Sequence, residues 1–151
     1  MARGRRKGIL IAGGGAAGGL AALAMARLRP DVPLLIVEER ERFGGHCFHH
    51  LFTDEVEGEA QSLLASIPGQ NWPGFYLAFP GLTRNLKGSI GGFIPDALHR
   101  AMVETLRPDQ YRLGTRVVAV REDALVLDGG EEIKAEGALD ARGAANLSVL
   151  K

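Results

Sequence analysis

Cysteine, aromatic residues and net charge are all scarce in this chain of 151 residues. The single Cys47 excludes an intrachain disulfide and is typical of a protein from a reducing compartment. Lys and Arg together number 18, as do Asp and Glu, so the formal net charge is zero. This balance argues against a dedicated nucleic-acid binder. The remaining composition is that of one ordinary globular domain.

Long apolar runs are missing as well. No stretch reaches the roughly 18 apolar residues that a membrane-spanning helix needs, and glycines interrupt the apolar opening where a secretory signal would be continuous. Residues 1–7 are basic and contain no acid, which predicts a solvated tail, with contact to an anionic membrane surface as the alternative. We expect a cytoplasmic protein, or one that is peripheral to the inner face of the cell membrane.

A strand–turn–helix–strand pattern opens the chain. An apolar run at 8–12 leads into the glycine-rich turn 13–18, an Ala/Leu-rich helix is predicted over 20–28, and a second apolar strand at 34–37 ends at Glu38. In such a turn the first glycine permits a sharp bend, the second lets a pyrophosphate approach the backbone, and the third permits close packing. The helix N-terminus then offers free N–H groups to phosphates. This pattern predicts a dinucleotide site, and a glycine-rich turn in an unrelated α/β domain is the alternative.

Glu38 and the glycine pair at 44–45 indicate which dinucleotide is bound. A carboxylate at the end of the second strand accepts hydrogen bonds from ribose hydroxyls and disfavours the 2′-phosphate of NADP. After four polar residues, Phe43-Gly44-Gly45 completes a pattern that resembles the FAD-binding signature of the superfamily of amine oxidases, carotenoid desaturases and carotenoid cyclases. The resemblance implies FAD, with an NAD-only domain as the alternative.

The second half of the chain predicts a small antiparallel meander. Short β-rich runs at 115–120 and 124–127 are followed by Asp128-Gly129-Gly130, a hairpin turn, and by a returning strand at 132–135. Residues 137–143 indicate another buried strand that ends at a glycine. In the flavoprotein superfamily that the opening resembles, this order implies that Val117 lies near the adenine and Gly143 near the ribityl-pyrophosphate region.

The middle of the chain is expected to define the substrate. Residues 94–106 predict a helix with Pro95 in its first turn and Pro108 after its end. The aromatic-rich stretch 72–81 either lines an apolar ligand channel or belongs to the core, and composition favours the core. We expect residues 60–107 to contribute to a substrate-side region.

Taken together and in order, these motifs are similar to those of bacterial lycopene β-cyclases. The similarity covers residues 8–147 and is carried by segments that the dinucleotide motif alone does not explain. These are the glycine-rich turn, Glu38, Gly44-Gly45-His46, Trp72-Pro73-Gly74-Phe75, Phe79-Pro80-Gly81, Arg84, the helix with His99, and Leu139-Asp140-Ala141-Arg142-Gly143-Ala144. Two segments depart from the family's usual pattern, namely His46-Cys47-Phe48-His49-His50 and the glycine-rich stretch 87–93.

The resemblance implies cyclisation of the ends of lycopene, or of a related carotenoid, to β-ionone rings without net redox change, using reduced FAD with NAD(P)H as reductant. In the family the proposed catalytic acid is a glutamate beyond the first half of the protein, so it is expected beyond Lys151 and the chain alone is expected to be inactive. The alternatives are another FAD-dependent oxidoreductase, such as a carotenoid desaturase or isoprenoid reductase, and a non-catalytic dinucleotide-binding remnant. The residues expected to contact the cofactor are Gly13, Gly14, Gly15, Gly18, Glu38, Gly44, Gly45, His46, Val117 and Gly143.

Several polar residues have two interpretations at this stage. Three histidines and Cys47 lie within residues 46–50, a composition that could ligate a metal, but no second cluster supplies further ligands and no metal is expected. The same segment lies either near the flavin ring or in a surface loop. Arg84 either approaches the cofactor or an acid, or is solvated. Asp140 and Arg142 form either a salt bridge at a strand end or part of the cofactor site.

We therefore expect an α/β fold, an FAD-binding Rossmann-like parallel sheet with an antiparallel β-meander, incomplete as the N-terminal half of a larger fold. The domain division is a basic tail at 1–7 and a partial FAD-binding domain at 8–151. Incompleteness would expose apolar surface, so we also expect poor solubility.

Overall fold

The computed structural model describes residues 8–144, so the predicted basic tail at 1–7 and residues 145–151 lie outside the described range. The helices within that range are α1 (Ala16–Leu28), α2 (Gly58–Ala65) and α3 (Pro95–Thr105). The strands are β1 (Ile9–Ala12), β2 (Leu34–Val37), β3 (His49–Phe52), β4 (Gln70–Phe79), β5 (Leu82–Phe93), β6 (Tyr111–Arg112), β7 (Val117–Arg121), β8 (Ala124–Leu127), β9 (Glu132–Lys134) and β10 (Gly137–Asp140).

A parallel sheet with the strand order β10-β1-β2-β6 is the centre of the fold. Its inner strands β1 and β2 are short, aliphatic and almost fully buried, as expected of strands covered on both faces. The predicted strands at 8–12 and 34–37 are therefore confirmed. The strand predicted as buried over 137–143 ends at Asp140 and is half-buried, because β10 lies at the edge of the sheet that residues 8–144 form.

Different layers cover the two faces of this sheet. Because side chains alternate along a strand, Ile11 and Ile36 face a core shared with α1 and α3, whereas Leu10 and Leu35 face a second core shared with the meander. The meander is the antiparallel sheet β7-β8-β9, and the bend at Gly129 and Gly130 joins its last two strands, as predicted. Both cores thus form on a single sheet and fix the meander relative to α1.

The helix predicted over 94–106 is confirmed as α3. Pro95 is its first residue and Asp96 lies in its first turn, both favourable at a helix N-terminus. It packs closely on α1, since a Cβ added to Gly19 would come within 2.9 Å of the Met102 sulfur. None of the helices within residues 8–144 is long and apolar enough to cross a membrane.

The aromatic-rich stretch 72–81 is not core, so that prediction is wrong. It forms β4 and the start of a long hairpin with β5, and its side chains are mostly exposed, with Tyr76 at 69% and Phe79 at 60%. The prediction failed because aromatic composition alone does not show whether another element covers a strand. The hairpin and β3 form a third sheet, in which the rings of Phe52 and Phe75 lie 5.8 Å apart.

Candidate functional site

A cavity of about 350 Å³ lies at the carboxyl edge of the parallel sheet, where β1, β2 and β10 end. From β1 the chain continues to β2 on one side, whereas β10 pairs with β1 on the other. Ligands of open α/β sheets bind at such a change of direction. The cavity is lined by Gly13, Gly15, Ala16, Ala17, Val37, Glu38, Glu39, Arg40, Gly45, His46, Cys47, His49, Arg116, Val117, Ala141, Arg142 and Gly143.

The glycine-rich turn forms one wall of the cavity. Gly13 leaves β1 with a φ of +96°, a conformation that favours glycine, and its N–H donates to the Val37 carbonyl at 2.8 Å. Gly15 is the N-cap of α1 and has no side chain to cap the helix, while the first turn of α1 contains no acid. The first N–H groups of α1 lack partners within the helix, so this wall presents donors and a partial positive charge.

The predicted glycines divide into two groups. Gly13, Gly15, Gly45 and Gly143 line the cavity, and a Cβ added to Gly15 would meet no atom of residues 8–144 within 4 Å. The other three are surrounded by protein. An added Cβ would lie 2.4 Å from the Phe43 ring at Gly14, 1.9 Å from the Gly13 oxygen at Gly18 and 2.3 Å from the Pro95 oxygen at Gly44. These three glycines permit close packing and do not line the cavity.

Glu38 is buried at the end of β2 and faces the cavity. Its Oε2 accepts a hydrogen bond from the Gly14 N–H at 2.6 Å, and its Oε1 accepts one from the Arg40 N–H at 2.9 Å. The carboxylate therefore links the end of β2 to the glycine-rich turn. Since an ionised carboxylate has about four acceptor sites, two backbone bonds leave capacity for a ligand.

The segment after the second glycine pair lines the cavity from a second side. Gly44 and Gly45 have φ values of +105° and +74°, so the chain turns there in a way that other residues rarely adopt. The guanidinium of Arg40 donates to Nδ1 of His46 at 2.5 Å, and Nε2 of His49 donates to the Gly44 carbonyl at 2.6 Å. These bonds occupy Nδ1 of His46 and Nε2 of His49, so the other nitrogen of each ring is the one that can meet a ligand.

The meander and the chain after β10 complete the cavity. Val117 begins β7 and is buried against the sheet, and Gly143 has a φ of +88°. Between them, the Arg142 guanidinium pairs with the Asp140 carboxylate through bonds of 2.8 and 2.7 Å. These bonds lower the pKa of Asp140 and raise that of Arg142. The salt bridge predicted at the end of this strand is therefore confirmed, and Arg142 also lines the cavity.

Other candidate residues lie elsewhere. Arg84 is on the exposed hairpin and His50 is exposed on β3. His99 accepts a hydrogen bond from the Phe43 N–H at 3.2 Å, behind the glycine pair. Within residues 8–144, no three His, Cys, Asp or Glu side chains are grouped so that they could hold a metal ion.

Sequence reasoning did not identify two arginines that line the cavity, Arg40 and Arg116. Arg40 is two residues after Glu38 and Arg116 directly precedes Val117. Their proximity to predicted residues was the signal that could have found them.

Comparison with known proteins identifies the family. A family model for lycopene cyclase proteins matches residues 8–150. The chain belongs to the lycopene cyclase family. The lycopene beta-cyclase of Pseudescherichia vulneris is 28% identical to it over 147 residues, which are 95% of this chain and 37% of that protein. The lycopene beta-cyclase of Pantoea ananas is 26% identical over 145 residues, which are 94% and 37% respectively. This member thus spans just over a third of the length of these relatives.

Solved structures share the fold of this family member. The tetrameric form of 2-methyl-3-hydroxypyridine-5-carboxylic acid oxygenase matches with a TM-score of 0.69 and 17% identity, over 96% of this chain and 43% of that one. A flavin-dependent halogenase from Xanthomonas campestris matches with a TM-score of 0.67 and 17% identity, over 97% and 44%. At such identities the likeness shows the fold alone. It confirms the expected α/β fold with a parallel sheet and antiparallel sheets.

Proposed function

We propose that residues 8–144 bind FAD and that the chain is the cofactor-binding part of a lycopene β-cyclase. The activity proposed for the whole enzyme is closure of the ends of lycopene, or of a related carotenoid, to β-ionone rings. One observation carries the proposal. In a member of the lycopene cyclase family, the cavity brings together the N-terminus of α1, the Glu38 carboxylate and Gly45 of the second glycine pair.

The residues at the turn fit the pyrophosphate and ribose of FAD. The N–H groups of α1 point out of a helix end that carries no acid, and Gly15 leaves open space where any other residue would place a side chain. The remaining acceptor sites of Glu38 suit ribose hydroxyls and would repel a 2′-phosphate. This donor and acceptor set supports FAD and disfavours NADP here.

The residues around the second glycine pair are proposed to lie beside the flavin. Gly45, His46 and His49 line the cavity, as does Val117, and the hydrogen bonds of the two imidazoles leave one nitrogen of each ring for a ligand. Val117 is proposed to contact the adenine, and Gly143 the ribityl-pyrophosphate region. Of the ten residues predicted to contact cofactor, we assign Gly14, Gly18 and Gly44 to shaping the backbone.

When bound and reduced by NAD(P)H, FAD supplies negative charge that stabilises positive charge on the polyene during ring closure. The cavity-lining residues described above would hold FAD and exclude water from the side of the cofactor that they contact. We do not assign Glu38 as the catalytic acid, because its two carboxylate oxygens accept hydrogen bonds from backbone N–H groups. We propose that this chain, which spans 37% of the length of its relatives, does not cyclise lycopene alone. Residues 60–107, which include the apolar hairpin, are proposed to contribute to the carotenoid side.

A chimera tests this function. Residues 8–144 replace the matching segment of the Pseudescherichia vulneris relative, and the product is expressed in lycopene-accumulating cells beside the chain alone. We expect β-carotene and a flavin absorbance spectrum from the chimera, and unchanged lycopene from the chain alone. Bound flavin with persistent lycopene would contradict the cyclase assignment and favour a redox flavoprotein. A folded chimera without flavin would contradict the cofactor assignment and favour a non-catalytic remnant.

A further inference from the structure

Arg142 lies where two walls of the cavity meet. One wall is the glycine-rich turn, and residues 141–142 pack directly on it, since a Cβ added to Gly13 would lie 2.6 Å from the Ala141 oxygen and 2.9 Å from the Arg142 Cα. The other wall is the start of β7, where Arg116 and Val117 line the cavity. A side chain at this junction can determine the distance between the two walls.

Hydrogen bonds join Arg142 to both walls. Its Nη1 donates to the Val117 carbonyl at 3.0 Å, while Nε and Nη2 donate to the two carboxylate oxygens of Asp140, the last residue of β10. The Arg142 backbone N–H also donates to Asp140 Oδ1, at 3.2 Å. The Arg142 side chain is only 15% exposed, so water screens this fork weakly. Asp140 thus holds the guanidinium in the orientation that reaches Val117.

The Val117 carbonyl accepts this bond at an irregular point of the meander. Val117 pairs with Leu127 and Ala119 pairs with Val126, so the register shifts at Val118. Such a bulge interrupts the strand ladder and redirects the backbone. The bond from Arg142 fixes the backbone at the point where the ladder between β7 and β8 leaves it least constrained.

We propose that Arg142, oriented by Asp140, is a positioning residue that holds Val117 at a fixed distance from the glycine-rich turn and so gives the cavity a preference for FAD over FMN. The inference rests on the proposed FAD function, in which the Val117 side takes the adenosine and the α1 side takes phosphate. FMN has no adenosine. Its binding therefore does not depend on the position of Val117, and Arg142 acts on FAD through that residue.

Flavin titration of the full chain with Arg142→Gln tests the preference. We expect the dissociation constant for FAD to rise about tenfold, as for loss of a hydrogen bond from a charged group, and that for FMN to change less than about twofold. Asp140→Asn should also raise the dissociation constant for FAD. The double variant should bind FAD no more weakly than Arg142→Gln, because both substitutions break the same hydrogen-bonded link from Asp140 through Arg142 to Val117. The matched control is Arg121→Gln, which removes an exposed ion pair with Glu132 from the same meander.

Equal losses for FAD and FMN would indicate a general structural role and would overturn the proposal, as would unchanged affinity for both. Hydrogen exchange without flavin gives an independent measurement. We expect faster exchange at residues 117–121 in Arg142→Gln but not in Arg121→Gln, and no difference would refute the positioning role whatever the binding data show. If exchange changes as expected but the unsubstituted chain binds neither flavin, the FAD function fails and the preference with it, while the link from Arg142 to Val117 stands.

Discussion

Neighbouring glycines in the turn between β1 and α1 serve different purposes. Gly14 is enclosed by the Phe43 ring and by Glu38, so a side chain there would displace the core. Gly15 borders open space in the cavity, and its φ of −72° and ψ of −162° suit any residue. A substitution at Gly15 therefore separates ligand binding from folding, which a substitution at Gly14 cannot do.

Gly15→Val is expected to fold with a free energy of unfolding within about 1 kcal/mol of the unsubstituted chain, since only an N-cap preference is lost. Its FAD affinity should fall about 10- to 100-fold, the effect of overpacking by a few methyl groups. Thermal unfolding and flavin fluorescence titration measure the two quantities. Gly137→Ala is the control, because its Cβ would make an ordinary 3.5 Å contact with Ile9. Undiminished FAD affinity in Gly15→Val would remove the assignment of this turn to the pyrophosphate.

His99 supports the backbone directly before the second glycine pair, and its protonation state affects that support. Its Nδ1 accepts the Phe43 N–H, and the two rings lie 5.9 Å apart. Burial lowers the pKa of His99, the positive charge of Arg42 lowers it further, and Asp96 partly opposes them. Protonation would place a hydrogen on Nδ1, the atom that accepts the Phe43 N–H, so the neutral form is the form that supports Phe43.

The sign of the pH dependence follows from this lowered pKa. Below about pH 6.5 the unfolded chain binds a proton at His99 that the folded chain takes up only at lower pH. The stabilisation is complete above that value and is lost as the pH falls through the folded-state pKa, with a slope of at most about 1.4 kcal/mol per pH unit. Urea unfolding from pH 7.5 to 5 should show a shallower slope for His99→Asn, which keeps an acceptor. His50→Asn, at an exposed position, should keep the original slope, and an identical slope in His99→Asn would contradict the expectation.

At the scale of elements, local sequence determined most of the parallel sheet. The runs at 8–12 and 34–37 are apolar, end at glycine or an acid, and enclose a helix, so β1, α1 and β2 could be predicted from the sequence. The meander was predictable because Asp128-Gly129-Gly130 is a typical hairpin-turn sequence, and both glycines do have positive φ in the structure. The division of strand side chains between two cores was not, because it depends on which layers cover each face.

The aromatic composition of the hairpin β4–β5 does not show whether its side chains are buried. Phe75, Leu77 and Phe79 lie at every second position, which on a strand places the three side chains on one face. Aromatic character without spacing favours core, which is why the prediction for this stretch was wrong. Whether that face is covered is a tertiary property that neither signal contains.

Some residues of the candidate site could be predicted from local sequence, whereas the contacts between distant residues could not. Glu38 and the cavity-lining glycines lie next to predicted strands and helices in the sequence, so local sequence patterns predict them. Arg40 binds His46, and Arg142 binds Val117, across 6 and 25 residues of sequence. Such partnerships arise only when separate elements pack, and a single sequence does not encode them as a motif.

At the scale of the whole molecule, no layer formed by residues 8–144 covers one face of the third sheet. Residues directly opposite in an antiparallel pair share a face, and Phe79 pairs with Leu82 and Phe75 with Leu86. Together with Leu77 they form an apolar face whose only charge is Arg84, and most of it is exposed. In the described part of the chain, this face is therefore exposed to solvent.

An exposed face of this kind predicts that the chain self-associates at micromolar concentrations. Phe79→Ser combined with Leu82→Ser removes the opposed pair at the hairpin tip, and we expect it to weaken association about tenfold or more, because each large side chain loses part of a burial energy of about 1.5–3 kcal/mol. Sedimentation velocity across a concentration series measures the effect. Ala78→Ser with Thr83→Ser, the neighbouring pair on the opposite face, is the control and should associate like the unsubstituted chain. A monomeric unsubstituted chain, or equal weakening by both pairs, would show that this face does not drive association.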